Sequence, residues 1–349
     1  MRSFLKPAAG IVCLVTMACA GCSSGGDGSS DTASSEPSKT SSPAGSPTGS
    51  PTRQAQTSST AYAPYVSATT ASDLDSAGSP STYNLAFVIS DGSDCTPKWN
   101  GTYAIGNSAV TSRISALKES GASVRVSFGG ASGKELAETC SSASKLAKAY
   151  GAALDAAGAT LADFDIEGDT LTDSASVELR SKAIALLQKD RSDLSISFTL
   201  PVMPEGLDDD GIALLESANN NSVQVSTVNI MTMNYGSSYD GDMGDYALTS
   251  AKAAHDQLAD VFGLSSKGAW QGLALTSMIG VNDVDNETFT LTDAAEVRSF
   301  AEEKDVAWVS MWSTFRDQQC DGGSKSNDAA TDCSGVKQTN GAFAEAFAG

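Results

Sequence analysis

The sequence predicts an α/β fold, a (β/α)8 barrel of the TIM type, from three features of the chain beyond residue 60. Short apolar, β-branched runs alternate with longer stretches rich in alanine and lysine that are typical of helices. Strands separated by helices in this way form a parallel sheet. The alternation repeats eight times in about 290 residues, which fits a barrel of roughly 250 residues with insertions. An open, doubly wound sheet is the alternative, but no Gly-x-Gly-x-x-Gly follows the first strand.

The predicted elements follow one another in regular order. Strands are expected at residues 61–68, 83–90, 123–128, 162–167, 194–200, 227–233, 272–278 and 307–312. Helical segments are expected between them, among others at residues 112–120, 143–157, 174–188, 249–262 and 292–304. One domain, residues 60–349, therefore accounts for the whole folded part of the chain.

The first 59 residues predict an export signal and a tether. Arg2 and Lys6 precede an apolar run, residues 8–20, that is too short for a membrane span. The small residues before Cys22 resemble a bacterial lipobox, although Cys19 stands where leucine is usual, so residues 1–22 predict a signal peptide with Cys22 as the lipidated residue. Ordinary cleavage and secretion is the alternative. Residues 23–59 are rich in Ser, Thr, Gly and Pro, which predicts a disordered linker.

Composition excludes several classes of function. The net charge is −20, from 42 acidic and 22 basic residues, which argues against a nucleic-acid partner. A single histidine, His255, argues against histidine-based triads and metal sites, and its polar surroundings predict a surface position. We expect no cofactor or metal, a monomer, and an extracellular protein that is secreted or tethered to the membrane.

The seven cysteines divide into three groups. Cys13 and Cys19 leave with the signal, Cys22 is the lipidation candidate, and four remain in an oxidising compartment. Because each pair joins loop-like segments, we expect disulfides between Cys95 and Cys140 and between Cys320 and Cys333.

Residues 163–167 carry the strongest functional signal. Asp163, Asp165 and Glu167 alternate with Phe164 and Ile166, and a period of two places the three carboxylates on one face of a strand. Burying an ionised carboxylate in a sheet costs on the order of several kcal/mol, unless hydrogen-bonding or charged partners offset the cost or a catalytic role requires it. This pattern therefore predicts an active site.

Two other interpretations of the same residues are weaker. A calcium loop would need an acidic residue at its twelfth position, which is Ser174, and solvated residues where Phe164 and Ile166 stand. A solvated surface strand would be flanked by turn signals, and the flanks lack them.

Further chemistry-bearing residues follow the ends of other predicted strands. Strand three ends in Ser-Phe-Gly-Gly, strand six in Met-Thr-Met-Asn-Tyr-Gly, strand seven runs into Asn-Asp, and strand eight ends in Ser-Met-Trp. Active sites of barrels lie at the carboxyl ends of the strands, so these residues are expected to surround the three carboxylates.

This combination resembles glycoside hydrolase family 18, the chitinase family, over about residues 61–347. That family carries Asp-x-x-Asp-x-Asp-x-Glu on strand four, Ser-x-Gly-Gly on strand three, a Met, Tyr and Asp-or-Asn cluster on strand six and a Trp on strand eight. The chain is most similar to the bacterial and archaeal members with Met-Thr-Met-(Asp/Asn)-Tyr-Gly. It departs from the pattern at Thr160 and Leu161, where Asp and Gly are usual, and in the order Asn234-Tyr235 on strand six.

The resemblance implies an enzyme that cleaves β-1,4-linked N-acetylglucosamine polymers, in which the substrate's own acetamido oxygen is the nucleophile. Glu167 is then the general acid, and Asp165 stabilises the acetamido group as it becomes cationic. Asp163 is expected to share a proton or a hydrogen bond with Asp165, and Asn234 and Tyr235 are candidates to hold the acetamido carbonyl. The other candidate substrate-binding residues are Trp312, as an apolar floor, with Met231, Ser127, Gly129, Gly130, Asp283 and Tyr65.

Two alternatives use the same residues. An endo-β-N-acetylglucosaminidase would act on glycans or peptidoglycan instead of chitin. A non-catalytic protein that binds chitin oligosaccharides is the other alternative, and the presence of all three carboxylates argues for an enzyme.

Overall fold

The computed structural model describes residues 60–321 and 332–349, and within them strands and helices alternate along the chain. The strands are β1 Ala61–Tyr62, β2 Tyr65–Ser67, β3 Thr82–Ser90, β4 Pro97–Trp99, β5 Tyr103–Ala104, β6 Ser123–Gly129, β7 Leu161–Asp165, β8 Ser195–Pro201, β9 Val225–Met231, β10 Leu273–Met278, β11 Gly280–Val281, β12 Thr288–Phe289 and β13 Trp308–Trp312. The helices are α1 Ser108–Lys118, α2 Leu136–Thr139, α3 Ala143–Ala157, α4 Asp169–Thr172, α5 Ser174–Asp190, α6 Asp209–Asn220, α7 Met243–Phe262, α8 Ser266–Gln271, α9 Leu291–Lys304, the 3-10 helix Thr314–Arg316 and α10 Ala342–Ala348.

The parallel sheet confirms the predicted fold class. Its order is β1-β13-β10-β9-β8-β7-β6-β3, with β2 beside β3 and the antiparallel strands β4 and β5 beyond it. The first predicted strand, 61–68, is broken at Ala63-Pro64, because proline has no N–H to donate to a ladder. Its first half, β1, pairs with β13 and its second half, β2, pairs with β3. The sheet therefore curves as in a barrel, but no unbroken strand joins its two edges within the described residues.

Most predicted boundaries lie within a few residues of the observed ones. Helix α3 has the predicted bounds, and α7 begins six residues before the predicted start, with Asp242 as its N-cap. Helix α6 was not predicted; Asp208 caps it by accepting a hydrogen bond from the Gly211 N–H at 2.8 Å. Strand β7 ends at Asp165, so Glu167 lies just beyond the strand instead of within it.

Alternate residues of the central strands form layers that face opposite sides of the sheet. Phe128, Phe164 and Phe198 are register neighbours on β6, β7 and β8, and their ring centroids are 5.3 Å and 5.7 Å apart. Tyr150 of α3 packs on the same layer, 4.9 Å from Phe164. Phe164 faces the helices. Because successive side chains of a strand point to opposite faces, Asp163 points to the other face of the sheet.

A buried ion pair anchors the segment that follows β6. Arg180 of α5 donates to one oxygen of Glu135 from Nε at 3.1 Å and Nη2 at 2.8 Å, and both side chains are almost fully buried. The hydroxyl of Tyr150 donates to the other oxygen at 2.6 Å. Glu135 is also the N-cap of α2, whose C-cap is Cys140. Three helices, α2, α3 and α5, thus converge on one carboxylate.

The structure contains both predicted disulfides, Cys95–Cys140 and Cys320–Cys333. The predicted surface position of His255 is wrong. The histidine is 8% exposed, its ring stacks on Trp270 at 4.1 Å, and Nε2 lies 3.0 Å from the Ser266 carbonyl oxygen. The short helix α8 covers this face of α7, which the local sequence did not indicate.

The predicted signal peptide, Cys22 and the linker of residues 23–59 lie outside the described residues. Among the helices that the structure does describe, none has the length and apolar character needed to cross a membrane.

We expect Arg180→Met to lower the free energy of unfolding by about 3–5 kcal/mol, because it leaves the Glu135 carboxylate buried without its counter-ion. Urea unfolding with the disulfides intact measures this loss. The matched control is Lys182→Met on the same helix, whose pair with Glu178 is about half exposed and contributes roughly 0–1 kcal/mol. Equal losses for the two variants would contradict the structural role of the buried pair.

Candidate active site

A cavity of about 420 Å³ opens at the carboxyl ends of the parallel strands. Of the residues predicted for the site, seven line it: Tyr65, Asp165, Glu167, Met231, Asn234, Asp283 and Trp312. The remaining lining residues are Phe87, Ile89, Asn100, Ala131, Ser132, Thr199, Met233, Thr276 and Met278. Three carboxylates thus face the cavity, and no lysine, arginine or histidine of the described residues lines it.

Asp163 is buried below the cavity and is fixed by hydroxyl groups. It is 1% exposed, and its register neighbours on β6 and β8 are both serines. Four hydroxyls donate to it: Ser127 at 2.6 Å, Tyr65 at 3.1 Å, Ser197 at 2.7 Å and Thr199 at 2.8 Å. The expected bond to Asp165 is not among its hydrogen bonds, because hydroxyls already occupy both of its oxygens.

Asp165 has the opposite surroundings. Its register neighbours are Gly129, which has no side chain, and Thr199, whose hydroxyl donates to Asp163. Its Oδ1 is consequently buried without a hydrogen-bond partner in the described part of the chain. Burial, then the charge of Glu167, then that of Asp163 raise the pKa of Asp165 well above its usual range. This carboxyl group therefore favours its protonated form.

Glu167 lies at the open end of the carboxylate series and is only partly buried. Burial, and next the negative charge of Asp283, raise the pKa of Glu167 to about 7. A carboxyl group with this pKa is substantially protonated at neutral pH, which is the condition for a general acid.

Asn234 is held at the cavity by two backbone N–H groups. Its Oδ1 accepts hydrogen bonds from the N–H groups of Asp283 at 3.0 Å and Val284 at 3.3 Å. Its φ of 54° is in the left-handed region, which asparagine tolerates better than most residues. Because the carboxamide oxygen is already occupied, only the NH₂ group of Asn234 is available to a ligand.

Tyr235 does not reach the cavity, so its predicted part in holding the substrate is not supported by its position. The side chain is 4% exposed, packs against Tyr239 and Tyr246, and its hydroxyl accepts a hydrogen bond from Ser250 of α7 at 3.3 Å. Met233 and Asn234 both line the cavity, whereas the chain after Asn234 turns Tyr235 away from it toward α7. Tyr65 supplies a phenol to the site instead.

Ser127, Gly129 and Gly130 also lie outside the cavity lining. They contact residues that lie below the cavity or line it. Ser127 contacts Asp163. A Cβ on Gly129, whose φ is 101°, would overlap the carbonyl oxygen of Asp165, and the Gly130 N–H donates to that same oxygen at 2.9 Å. Gly129 therefore allows the close approach of β6 to β7, whereas the absence of a side chain at Gly130 leaves room for the ring of Phe87.

The predicted apolar floor at Trp312 is part of an aromatic group. Its ring stacks on Phe87 at 5.6 Å and meets Tyr65 edge-on at 5.8 Å. Phe87 is not among the site residues predicted from the sequence. Its position as an aromatic residue near the end of a predicted strand is the only local feature that indicates a place in the site. The register of β3 against β6 shifts between Leu85 and Val88, and Phe87, within this shift, lines the cavity.

Comparisons of sequence identify two curated relatives. The chain is 35% identical over 275 residues to a probable bifunctional chitinase/lysozyme of Escherichia coli strain K12, a match that covers 73% of this chain and 31% of that protein. It is 34% identical over 274 residues to endochitinase 11 of Metarhizium anisopliae, covering 73% of this chain and 52% of that protein. The matched region therefore spans only about a third to a half of each relative's length. No protein-family model matches the chain.

Solved structures that resemble this chain are also described as chitinases. The catalytic domain of the hyperthermophilic chitinase from Pyrococcus furiosus superimposes with a TM-score of 0.73 at 28% identity, covering 82% of this chain and 93% of that chain. A GH18 chitinase from Pseudoalteromonas aurantia, at 15% identity and a TM-score of 0.52, covers 73% of this chain and 94% of its own and shares the fold.

We expect Gly129→Ala to destabilise the protein more than Gly121→Ala. Both positions have a positive φ, 101° and 85°, but only at Gly129 would a Cβ overlap another atom, the carbonyl oxygen of Asp165. Gly121→Ala should cost about 1–2 kcal/mol from backbone strain alone, and Gly129→Ala about 1–3 kcal/mol more from overpacking. Urea unfolding compares the two variants, and equal losses would show that β6 does not need this close approach.

Proposed function

We propose that the folded domain of this chain is of the glycoside hydrolase family 18 type, the chitinase type, and that it hydrolyses β-1,4-linked N-acetylglucosamine polymers such as chitin with retention of configuration. Glu167 is the proton donor and, later, the base. The observation that carries this proposal is the position of Glu167 on the cavity, two residues after the buried Asp165, with a pKa raised to about 7.

The first chemical step uses the proton of Glu167. The acetamido oxygen of the substrate attacks C1, the bond from C1 to the leaving oxygen breaks, and Glu167 transfers its proton to that oxygen. The ionised Glu167 then accepts a proton from the water that attacks C1 from the vacated side, the oxazolinium ring opens, and the acid is restored. A pKa near the working pH suits a group that must donate and accept in turn.

Asp165 supports this step through its unpaired oxygen. A buried acceptor without a donor costs roughly 1–3 kcal/mol, and the acetamido N–H of a bound sugar would supply the missing donor to Oδ1. A hydrogen bond to the carboxylate form lowers the pKa of Asp165, so substrate binding favours an ionised Asp165 beside a protonated Glu167. The carboxylate then faces the acetamido nitrogen as it becomes cationic.

The other site residues hold the sugar. Trp312, with Phe87 beside it, offers an apolar face on which a pyranose ring can stack. The NH₂ group of Asn234 is a donor for the acetamido carbonyl, and Met231 forms part of the wall. Asp163 stays in place as a fixed charge beneath Asp165, with Tyr65 linking it to the cavity.

The charge of the cavity favours uncharged chitin over peptidoglycan. Three carboxylates and no basic side chain of the described residues line it, and the chain carries a net charge of −20. Like charges disfavour a wrong partner, so the carboxylate groups of peptidoglycan would be repelled where neutral N-acetylglucosamine is not. N-glycans remain the alternative substrate class, since their core linkage is uncharged.

We propose that the enzyme is exported and held at the membrane through a lipid on Cys22, because two disulfides suit an oxidising compartment and the N-terminal sequence resembles a lipobox. Cys22→Ser should release the protein from the membrane fraction into the medium, as measured by fractionation and immunoblotting. Retention of this variant in the membrane fraction would contradict lipid anchoring.

Glu167→Gln should lower turnover of chitin oligosaccharides by about 100- to 10,000-fold, because it removes the proton donor while it preserves shape. Binding of the oligosaccharides, measured by calorimetry, should survive. The matched control is Asp169→Asn, which removes a carboxylate two residues further on, at the exposed start of α4, and should retain activity.

The same assay tests the substrate class. The parent enzyme should cleave chitin oligosaccharides faster than peptidoglycan or N-glycans. Glu167→Gln should not cleave peptidoglycan faster than the parent does. Near-full hydrolysis by Glu167→Gln would place the acid elsewhere, and binding without cleavage by the parent would support the non-catalytic alternative.

A further inference from the structure

Two loops at the carboxyl end of the sheet hold each other by reciprocal hydrogen bonds. Asn234, after β9, accepts from the N–H groups of Asp283 and Val284 in the hairpin between β11 and β12. In return Glu287, at the far side of that hairpin and 1% exposed, accepts from the Gly236 N–H at 2.8 Å. We call these two loops, residues 234–236 and 282–287, the clasp.

Hydrogen bonds within the hairpin hold its backbone as well. The side-chain amide of Asn282 donates to the carbonyl oxygens of Met278 at 2.9 Å and Gly280 at 3.0 Å. Its backbone N–H donates to the Glu287 carbonyl oxygen at 3.1 Å. The backbone at Asp283 is therefore held by the residue before it, by the far side of the hairpin and by Asn234.

The carboxylate of Asp283 is free of such bonds. It lines the cavity, is exposed to solvent, and makes no hydrogen bond or ion pair among residues 60–321 and 332–349. The charge of Asp283 is attracted to the buried guanidinium of Arg316, whose pKa it raises against the effect of burial. A rigid backbone nevertheless carries this negative charge to a cavity that already holds two carboxyl groups. Placing like charges together is unfavourable, so the arrangement opposes stability and calls for a functional reason.

Asp283 and Glu167 line the same cavity. While Asp165 is protonated, the negative charge of Asp283 is, after burial, the cause of the raised pKa of Glu167. The other titratable and charged groups around the site are Asp163 and Asp165 on β7, Tyr65 on β2, Arg125 on β6, Glu287 in the clasp and Arg316 on the 3-10 helix. The guanidinium of Arg316 donates to the carbonyl oxygens of Ile279 and Val281. Arg316 is buried behind the hairpin, so it does not line the cavity.

We propose that Asp283 is a positioning residue for the proposed reaction, which acts through Glu167 by keeping its carboxyl group in the protonated form that donates to the leaving oxygen. The clasp holds Asp283 for this task. The inference rests on the proposed function, and it replaces the prediction that Asp283 contacts the substrate.

The test is the pH profile of kcat/KM on a chromogenic chitin oligosaccharide. The rate falls as pH rises through the pKa of Glu167, because the acid loses its proton. Asp283→Asn removes the repelling charge, so the alkaline limb should move to lower pH by about one unit, giving roughly tenfold lower kcat/KM on that limb. The rate at acidic pH should stay the same. Asp283→Glu, which keeps the charge, should keep the parent profile.

Salt and a neighbouring variant provide the controls. Asp285→Asn removes the same charge from an exposed position in the same hairpin that does not line the cavity, and its profile should match the parent. Because mobile ions screen exposed charges at 0.1 M and above, added NaCl should move the alkaline limb of the parent to lower pH and that of Asp283→Asn much less.

Each other outcome has one meaning. A raised KM for Asp283→Asn at every pH, with an unshifted limb, would overturn the inference and return Asp283 to the substrate-binding residues. A profile identical to the parent would also overturn it. Neither result would touch the proposed function, which fails if Glu167→Gln remains active or if the parent binds chitin oligosaccharides without cleaving them.

Discussion

The site depends on the burial of carboxyl groups inside a parallel sheet. Asp163 is tolerated there because the register places a serine beside it on each neighbouring strand and brings two further hydroxyls within reach. Four donors replace the water that a buried carboxylate would lose. The charge of Asp163 in turn contributes to the raised pKa of Asp165, the next carboxyl group toward the cavity.

The three acidic residues of the Asp-x-Asp-x-Glu stretch have different surroundings, and each can therefore have a different chemical role. Asp163 is fully paired with hydroxyls, Asp165 is buried with one oxygen unpaired, and Glu167 is partly open to the cavity. Burial and like charges raise the pKa of the last two groups. One stretch of five residues can thus supply a fixed charge, an acceptor for a bound N–H and a proton donor, because their surroundings differ step by step along the strand.

The rest of the fold keeps this stretch in place. Gly129 and Gly130 bring β6 against the carbonyl oxygen of Asp165, and the Glu135–Arg180 pair anchors the segment that follows. On the opposite side, Asn234 and Glu287 hold the hairpin that carries Asp283. Most of this framework is rigid because buried polar groups are satisfied by specific partners, and not because of apolar packing alone.

Local patterns predict most of the strands and helices and the shared face of Asp163 and Asp165. A period of two is a local property, so the alternation of Asp163, Phe164 and Asp165 predicts both the strand and the direction of each side chain, and the repeated strand-helix pattern predicts the parallel sheet. The partners that these side chains meet depend on contacts between distant segments. Tyr65 reaches Thr199 across 134 positions, and Asn234 reaches Asp283 across 49; no local pattern encodes such contacts. The same reason explains why Tyr235 and Ser127 were assigned to the substrate, why Phe87 was missed, and why His255 was placed at the surface: each depends on what another segment brings against it.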